Sequence, residues 1–556
     1  MIRNTNYLYI ILALQILSAS CKKATDTTPP PTTPETFKIV AASINGNAAF
    51  MQYGVSNSPI IRIAFTAPVN RTTVATGITL TQNPGSVAVL NATYQNGDSV
   101  VVLQPYTPLS AITKYILTIK NIVASQRNTL LTAATSISFN TAIDSSNKFP
   151  LLNDSLLLNK IQQQTLKYFT DFGHPVSGLA RERNSSGDVV TTGGSGFGIM
   201  AIITGINRNF ITKNQGFAQV QKMVGFLKNT AQKVHGAFPH WLNGATGAIV
   251  PFSDKDNGAD LVETAYLMQG LLTARQYFNG AGAEETTLRN DINILWNNVE
   301  WDWFRQGNQH VLYWHYSENN LWAINQKIQG WNETLITYIL AASSATHSIP
   351  ATVYSSGWAG APGFVNGNTY FGYQLPLGPD KGGPLFFSHY SFLGINPTGL
   401  SDAYANYTTQ TKNHTLINYN YCVTNPQNNY GYSSSCWGLT ASDIEEGYTA
   451  SSPTNDVSVI APTAAISSLP YTPPESMQAL KFFYYTLGDK LWGDYGFYDA
   501  FSLKNAWFAN STLAIDQGPI IVMIENYRTG LLWKLFTSCP EVKTGMLSLG
   551  FKAAYL

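Results

Sequence analysis

Asp256-Asn257-Gly258-Ala259-Asp260-Leu261-Val262-Glu263-Thr264-Ala265-Tyr266-Leu267-Met268-Gln269-Gly270 decides the fold class of most of this chain. Leu261, Ala265, Met268 and Leu272 recur at helical spacing and predict a buried helix. Asp256-Asn257-Gly258 is turn chemistry able to cap it. Asp260 and Glu263, three apart, share another face at its first turn. The carboxylates can simply complement the helix dipole, or they can work on a substrate. Glu333 poses the same choice in Gly330-Trp331-Asn332-Glu333-Thr334-Leu335-Ile336, ahead of an apolar helix carrying Ile339 and Leu340. A Glu beside a Trp is a candidate for the raised pKa that a general acid needs. Asp516 precedes a third apolar helix and reads as a cap or a base, whereas Glu525 and Arg528 read as an internal ion pair.

Further helices are expected near 156–169, 195–209, 214–232, 285–299, 475–488 and 516–537, separated by Gly-, Asn- and Tyr-rich loops. Alternating strands are scarce here, so a helical α/α toroid is favoured over a doubly wound sheet. Residues 37–141 have the opposite texture. Ile61-Arg62-Ile63-Ala64-Phe65 and Tyr115-Ile116-Leu117-Thr118-Ile119 alternate, with Asn83-Pro84-Gly85 and Asn96-Gly97-Asp98 as turns. That pattern predicts a β-sandwich. Phe65-Thr66-Ala67-Pro68-Val69, then Gly77-Ile78-Thr79-Leu80, then Leu103-Gln104-Pro105 to Tyr115-Ile116-Leu117-Thr118-Ile119 resemble bacterial Ig-like domains. A spacer or accessory role is expected of it, with glycan binding as the alternative. Asp144 to Pro150 reads as a linker.

The first residues read as an export signal: Arg3, then the short apolar run Tyr7 to Leu17. Leu17-Ser18-Ala19-Ser20-Cys21 resembles a lipobox, which would make Cys21 the lipidated mature N-terminus. The expected organisation is a signal peptide over 1–21, a tether over 22–35, an Ig-like sandwich over 36–142 and a helical domain over 150–545. The expected location is the cell envelope, with membrane contact only through the lipid.

The 556 residues carry a net charge of +1 and only 12% charged side chains, which argues against a nucleic-acid partner. The 12 Trp, 30 Tyr and 27 Phe mostly build a core, but rings in loops also suit the faces of sugars. Gly193-Gly194-Ser195-Gly196 lacks the Lys of a phosphate loop, and no Gly-x-Ser-x-Gly stands at a strand-to-helix elbow. No Cys/His spacing fits zinc, and no cofactor is expected. Cys422 and Cys436 could close a short disulfide loop. Clusters around Arg181, His389 and Trp437 could line a cleft or be ordinary loop and core residues.

Several of these segments occur in order. Thr192 to Gly198, His235-Gly236-Ala237-Phe238-Pro239-His240-Trp241, Asp256 to Gly270, Gly330 to Glu333, Trp437 to Asp443, Ala461 to Ala465 and Asp516-Gln517-Gly518-Pro519 together resemble the glucoamylase-like domain of glycoside hydrolase family 144. The resemblance covers about 155–540. It implies a mainly α chain with an (α/α)6 barrel, and an inverting endo-β-1,2-glucanase that releases sophoro-oligosaccharides. It further implies Asp256, Asp260, Glu263 and Glu333 in the cleft, with Glu333 as general acid and Asp516 as base. Arg181, Trp331, His389 and Trp437 are expected to contact the β-glucan, with Trp331 and Trp437 as stacking platforms, in a monomer without a bound metal. The alternatives are an exo-acting sophorose-releasing enzyme, a hydrolase of another β-glucan, and a non-catalytic glycan-binding lipoprotein.

Overall fold

The computed structural model describes residues 36–556. The signal, lipobox and Cys21 readings lie outside the described residues. The described residues begin with nine strands: β1 (Ile39–Ile44), β2 (Met51–Val55), β3 (Ile61–Phe65), β4 (Ile78–Gln82), β5 (Val87–Ala88), β6 (Leu90–Gln95), β7 (Val100–Pro105), β8 (Lys114–Ile119) and β9 (Thr135–Thr141). They form two sheets, β1-β3-β7-β6 and β2-β9-β8-β4-β5, with β2 and β9 parallel. The period-2 pattern does what alternation dictates: Ile61, Ile63 and Phe65 face inward from β3, and Tyr115, Leu117 and Ile119 from β8. Phe37 stacks on Phe65 at the centre of this core. A one-turn helix, α1 (Val74–Gly77), leads into β4.

Helices dominate from residue 154. In order they are α2 (Asp154–Thr170), α3 (Thr192–Asn207), α4 (Lys213–Asn229), α5 (Leu261–Tyr277), α6 (Ala283–Asn297), α7 (Leu335–Ser343) and α8 (Tyr407–Thr424). Then come α9 (Pro462–Ile466), α10 (Pro473–Lys481), α11 (Gly488–Leu491), α12 (Ala514–Thr529), α13 (Leu531–Thr537) and α14 (Pro540–Ser548). Two kinds alternate. α2, α4 and α6 bury one stripe, as amphipathic helices do. α3, α5, α7, α9 and α12 are buried almost all round. α3 packs on both α5 and α12, and α5 packs on α7.

The glycines of α3 explain the closest of these contacts. A Cβ on Gly196 would lie 2.2 Å from the Tyr266 carbonyl oxygen, and one on Gly270 would lie 2.2 Å from the Gly196 oxygen. The two backbones touch, which only hydrogen side chains permit. The glycine-rich run is a helix-packing device.

Four expectations are corrected. The predicted helix 516–537 is two helices, broken where Gly530 takes φ +68°. α8 is an 18-residue helix that the sequence reading left out. Glu525 pairs with Arg208 (2.6 and 3.0 Å), while Arg528 donates to Asn159 and Gln162. Cys422 and Cys436 are buried, unbonded thiols in one core cluster.

Candidate active site

The inner helices and the loops before them enclose a cavity of about 490 Å³. Its wall includes Glu263, Glu333, Tyr266, Tyr390, His240 and Arg183. Each acid arrives there for a local reason. Asp260 ends the short strand Ala259–Asp260 and caps α5, its Oδ1 accepting from the amides of Val262 and Glu263 at 2.9 Å. The capping reading of this segment thus holds for Asp260, one turn later than the Asp256-Asn257-Gly258 expected. The other Asp260 oxygen faces His240 Nδ1 at 3.1 Å and His315 Nε2 at 3.6 Å. Asp256 lies 3.3 Å from the same His315 nitrogen.

Glu263 reaches across to α3, where the Gly193 amide donates to its Oε2 at 2.8 Å. A Cβ on Gly193 would stand 2.5 Å from that oxygen, so glycine is what lets the carboxylate approach the helix mouth. Glu333 precedes α7 instead of lying within its first turn. Its backbone carbonyl accepts from the Tyr266 and Ser391 hydroxyls, which fixes the turn and leaves the side chain on the cavity wall.

The electrostatics follow from burial. Desolvation pushes the Glu333 carboxyl up to about 7, with Asp260 and Glu263 adding to the effect. Burial likewise raises Glu263 and Asp256 to about 7. Burial would lower His240, but Glu263, Asp260 and Asp256 outweigh it and hold the imidazole at about 9. Asp260 stays below the ordinary carboxylate range: its burial is overcome by the His240 hydrogen bond and the two imidazoles. His240, Asp256 and Asp260 bring donor atoms within 4.8 Å of one another, which a cation could use. His240, held protonated, already provides a positive partner for Asp260, whereas burial and the neighbouring His240 hold His315 below the ordinary imidazole value.

Asp516 sits in the first turn of α12, behind the wall formed by Leu513 and Ile515. It is 2% exposed, and neither carboxylate oxygen has a conventional donor. Burial raises its pKa well above normal, and the charge of the neighbouring Asp499 carboxylate raises it further. Burial also lifts Asp499, to about 7. Asp499 Oδ2 accepts from the Asp443 amide at 2.6 Å. Asp443 in turn holds Arg183 at 3.1 Å, and Arg183 Nε bonds Glu182 at 2.9 Å. Asp516 has no other donor and Asp499 only the Asp443 amide, so the two facing carboxyl groups are best satisfied by sharing one proton.

The structure brings Glu263 and Glu333 to the cavity, and Asp256, Asp260 and Asp516 behind it. It does not bring the remaining sequence candidates there. Trp331 is packed among Trp358, Phe392 and Tyr407. Trp437 is fully buried, and its Nε1 donates to the Glu475 carbonyl. A sugar cannot stack on either ring, which corrects both as platforms. His389 is buried against Ser468, and burial lowers its pKa to about 3. Arg181 is tied to the carbonyls of Gly187 and Phe172; its neighbour Arg183 is the one on the wall. Accessible rings on the wall include Trp241 in the short strand Trp241–Asn243, Phe252, Trp314 and Tyr448. Phe252 packs against both His240 (4.3 Å between centroids) and Trp241 (4.9 Å). Trp241 lay within a motif already noted, but nothing local marked Asp499, Phe252 or Trp314.

An enclosed cavity with several buried acids, a carboxyl titrating near neutrality and aromatic walls defines a carbohydrate-processing site of the acid–base type. A family model described as "Putative glucoamylase" matches residues 325–540, and one for a bacterial Ig-like domain matches 35–141. A crystal structure under the first description, from Bacteroides uniformis, is 55% identical, covering 73% of this chain and 100% of that one, with TM-score 0.73. The endo-β-1,2-glucanase of Chitinophaga pinensis, solved with sophorotriose and glucose, is 49% identical over 73% of this chain and 100% of its own, with TM-score 0.71. An exo-β-1,2-glucooligosaccharide sophorohydrolase (non-reducing end) of Parabacteroides distasonis is 45% identical over 424 residues, 72% of this chain. The chain spans 58% of the length of that curated relative. The protein belongs to this glucoamylase-like family, glycoside hydrolase family 144, with a bacterial Ig-like domain ahead of its helical unit.

Proposed function

We propose that the protein hydrolyses β-1,2-glucan by an endo mode with inversion, releasing sophoro-oligosaccharides. One observation carries the reading most: Glu333 lies on the cavity wall with its pKa raised to about 7 by burial, so it holds a transferable proton near neutral pH. Glu333 gives that proton to the glycosidic oxygen as the bond to the anomeric carbon breaks. Water attacks the opposite face and loses a proton to Asp516. Asp516 sits behind the wall, so it acts through an intervening hydroxyl or water. The single negative charge shared with Asp499 leaves the pair able to accept that proton. Glu263 and His240 hold sugar hydroxyls from the wall, Asp256 and Asp260 hold the His240 imidazole charged and in place from behind, and Trp241, Phe252 and Trp314 offer ring faces.

The alternation of half-buried and fully buried helices supports the (α/α)6 barrel that the family implies. The lipobox-like Leu17 to Cys21 supports an envelope-anchored enzyme. An exo mode is the second reading, favoured by the sophorohydrolase among the relatives. The test is a time course of products from β-1,2-glucan beside β-1,3-, β-1,4- and α-1,4-glucans. A ladder from β-1,2-glucan alone supports the endo reading, and sophorose alone supports the exo reading. No product from any glucan overturns both.

A further inference from the structure

We propose that the glucan-binding cleft continues past the hairpin Ala441–Ile444/Gly447–Ala450 into a second groove. There, further glucosyl units of the same chain bind with Trp507 as their platform. The inference rests on the β-1,2-glucan reading and adds a site to it. The hairpin has two sides. Ala441, Tyr448 and Ala450 line the central cavity, while Asp443, Ile444, Glu445, Gly447 and Tyr448 line a more open groove of about 710 Å³. Arg183 and Tyr448 belong to both walls, so the two spaces adjoin.

The groove has the two components that sugar recognition needs. The first is a free ring face. Trp507 and Phe508 form a two-residue strand paired with Phe501–Ser502. Successive side chains of a strand point to opposite sides. Phe508 stacks on Phe501 at 5.7 Å, whereas no aromatic ring stacks on half-buried Trp507 among the described residues. The second component is a fixed polar rim. Asn184 donates to the Asn510 carbonyl at 2.9 Å and accepts from the Thr512 amide at 3.2 Å. Asp443 is held by Arg183 at 3.1 Å and by the Ser511 hydroxyl at 2.5 Å. Groups already immobilised lose little entropy when a hydroxyl-rich chain is laid across them. The mixed signs of Arg183, Asp443 and Glu445 suit a neutral polyhydroxy ligand better than a charged one.

The test compares Trp507→Ala with the unmodified protein on long β-1,2-glucan and on sophorotriose. Loss of one stacking platform is expected to lower kcat/KM on the long glucan about three- to ten-fold through KM, with a much smaller change on sophorotriose. Trp507→Phe should recover most of the loss, which separates a stacking role from a folding defect. An equal loss on both substrates, or none on the long one, overturns the extended groove while leaving the hydrolase reading intact. If the unmodified protein releases no sugar, the hydrolase reading fails, and retardation in a native gel containing β-1,2-glucan then decides the groove. Retardation that Trp507→Ala abolishes supports it; equal migration of the two proteins overturns it.

Discussion

Replacing Glu333 with Gln should make the protein more stable at alkaline pH while removing most of its activity. In the folded protein burial moves this carboxyl from 4.5 to about 7. The folded state therefore holds the proton more tightly than the unfolded chain does. The stabilising contribution is fully present below pH 4.5 and is lost as pH rises through about 7. At about 1.4 kcal/mol per pH unit the full displacement corresponds to about 3 kcal/mol. Glu333 is only half-buried on the cavity wall, so solvent screening leaves about 1–3 kcal/mol. Gln has nearly the same shape and never ionises, so it escapes this cost. The melting temperature of Glu333→Gln minus that of the unmodified protein should be near zero at pH 4.5 and clearly positive at pH 8. Turnover should fall by roughly 10²–10⁴-fold, the usual contribution of proton donation. A variant destabilised equally at both pH values would refute the burial argument. A stable variant with near-normal turnover would remove Glu333 from the chemistry.

Gly193→Ala places a methyl 2.5 Å from Glu263 Oε2 and disrupts the amide–carboxylate contact. It should cost about 1–3 kcal/mol, read by thermal melting, and raise KM. Asp499→Asn removes the carboxyl that faces Asp516 and should lower turnover at least about ten-fold. It should also move the acid limb of the pH–rate profile, which a purely structural defect would leave in place. Trp437→Ala should destabilise by about 3–5 kcal/mol through loss of a fully buried ring. Its effect on KM should be small compared with that of Trp241→Ala.

The acids could be seen in the sequence because their positions are local. Asp260 and Glu263 stand at the mouth of a helix whose apolar period is plain, and Glu333 stands just ahead of another. The platforms could not be seen, since choosing among the Trp residues requires knowing which rings the tertiary packing covers. Trp331 and Trp437 are enclosed, while Trp241 and Trp314 are not, and nothing in their neighbours' identity says so. Asp499 becomes meaningful only through a partner 17 residues away that faces it in space. α8 escaped for a different reason. Its buried face carries Gln410, Thr411, His414, Thr415 and Asn418, so the hydrophobic period is absent. Those polar groups are satisfied by specific bonds, such as Gln410 to Leu377 and Asn418 to Leu439, that only the fold supplies.

The most direct test of the central claim is reducing-sugar release from β-1,2-glucan by the unmodified protein, run beside Glu333→Gln and Asp516→Asn. The account predicts steady release by the unmodified protein and a loss of orders of magnitude in both variants, each still folded. Release that survives both substitutions would contradict the assigned acid and base, and no release by the unmodified protein would contradict the function itself.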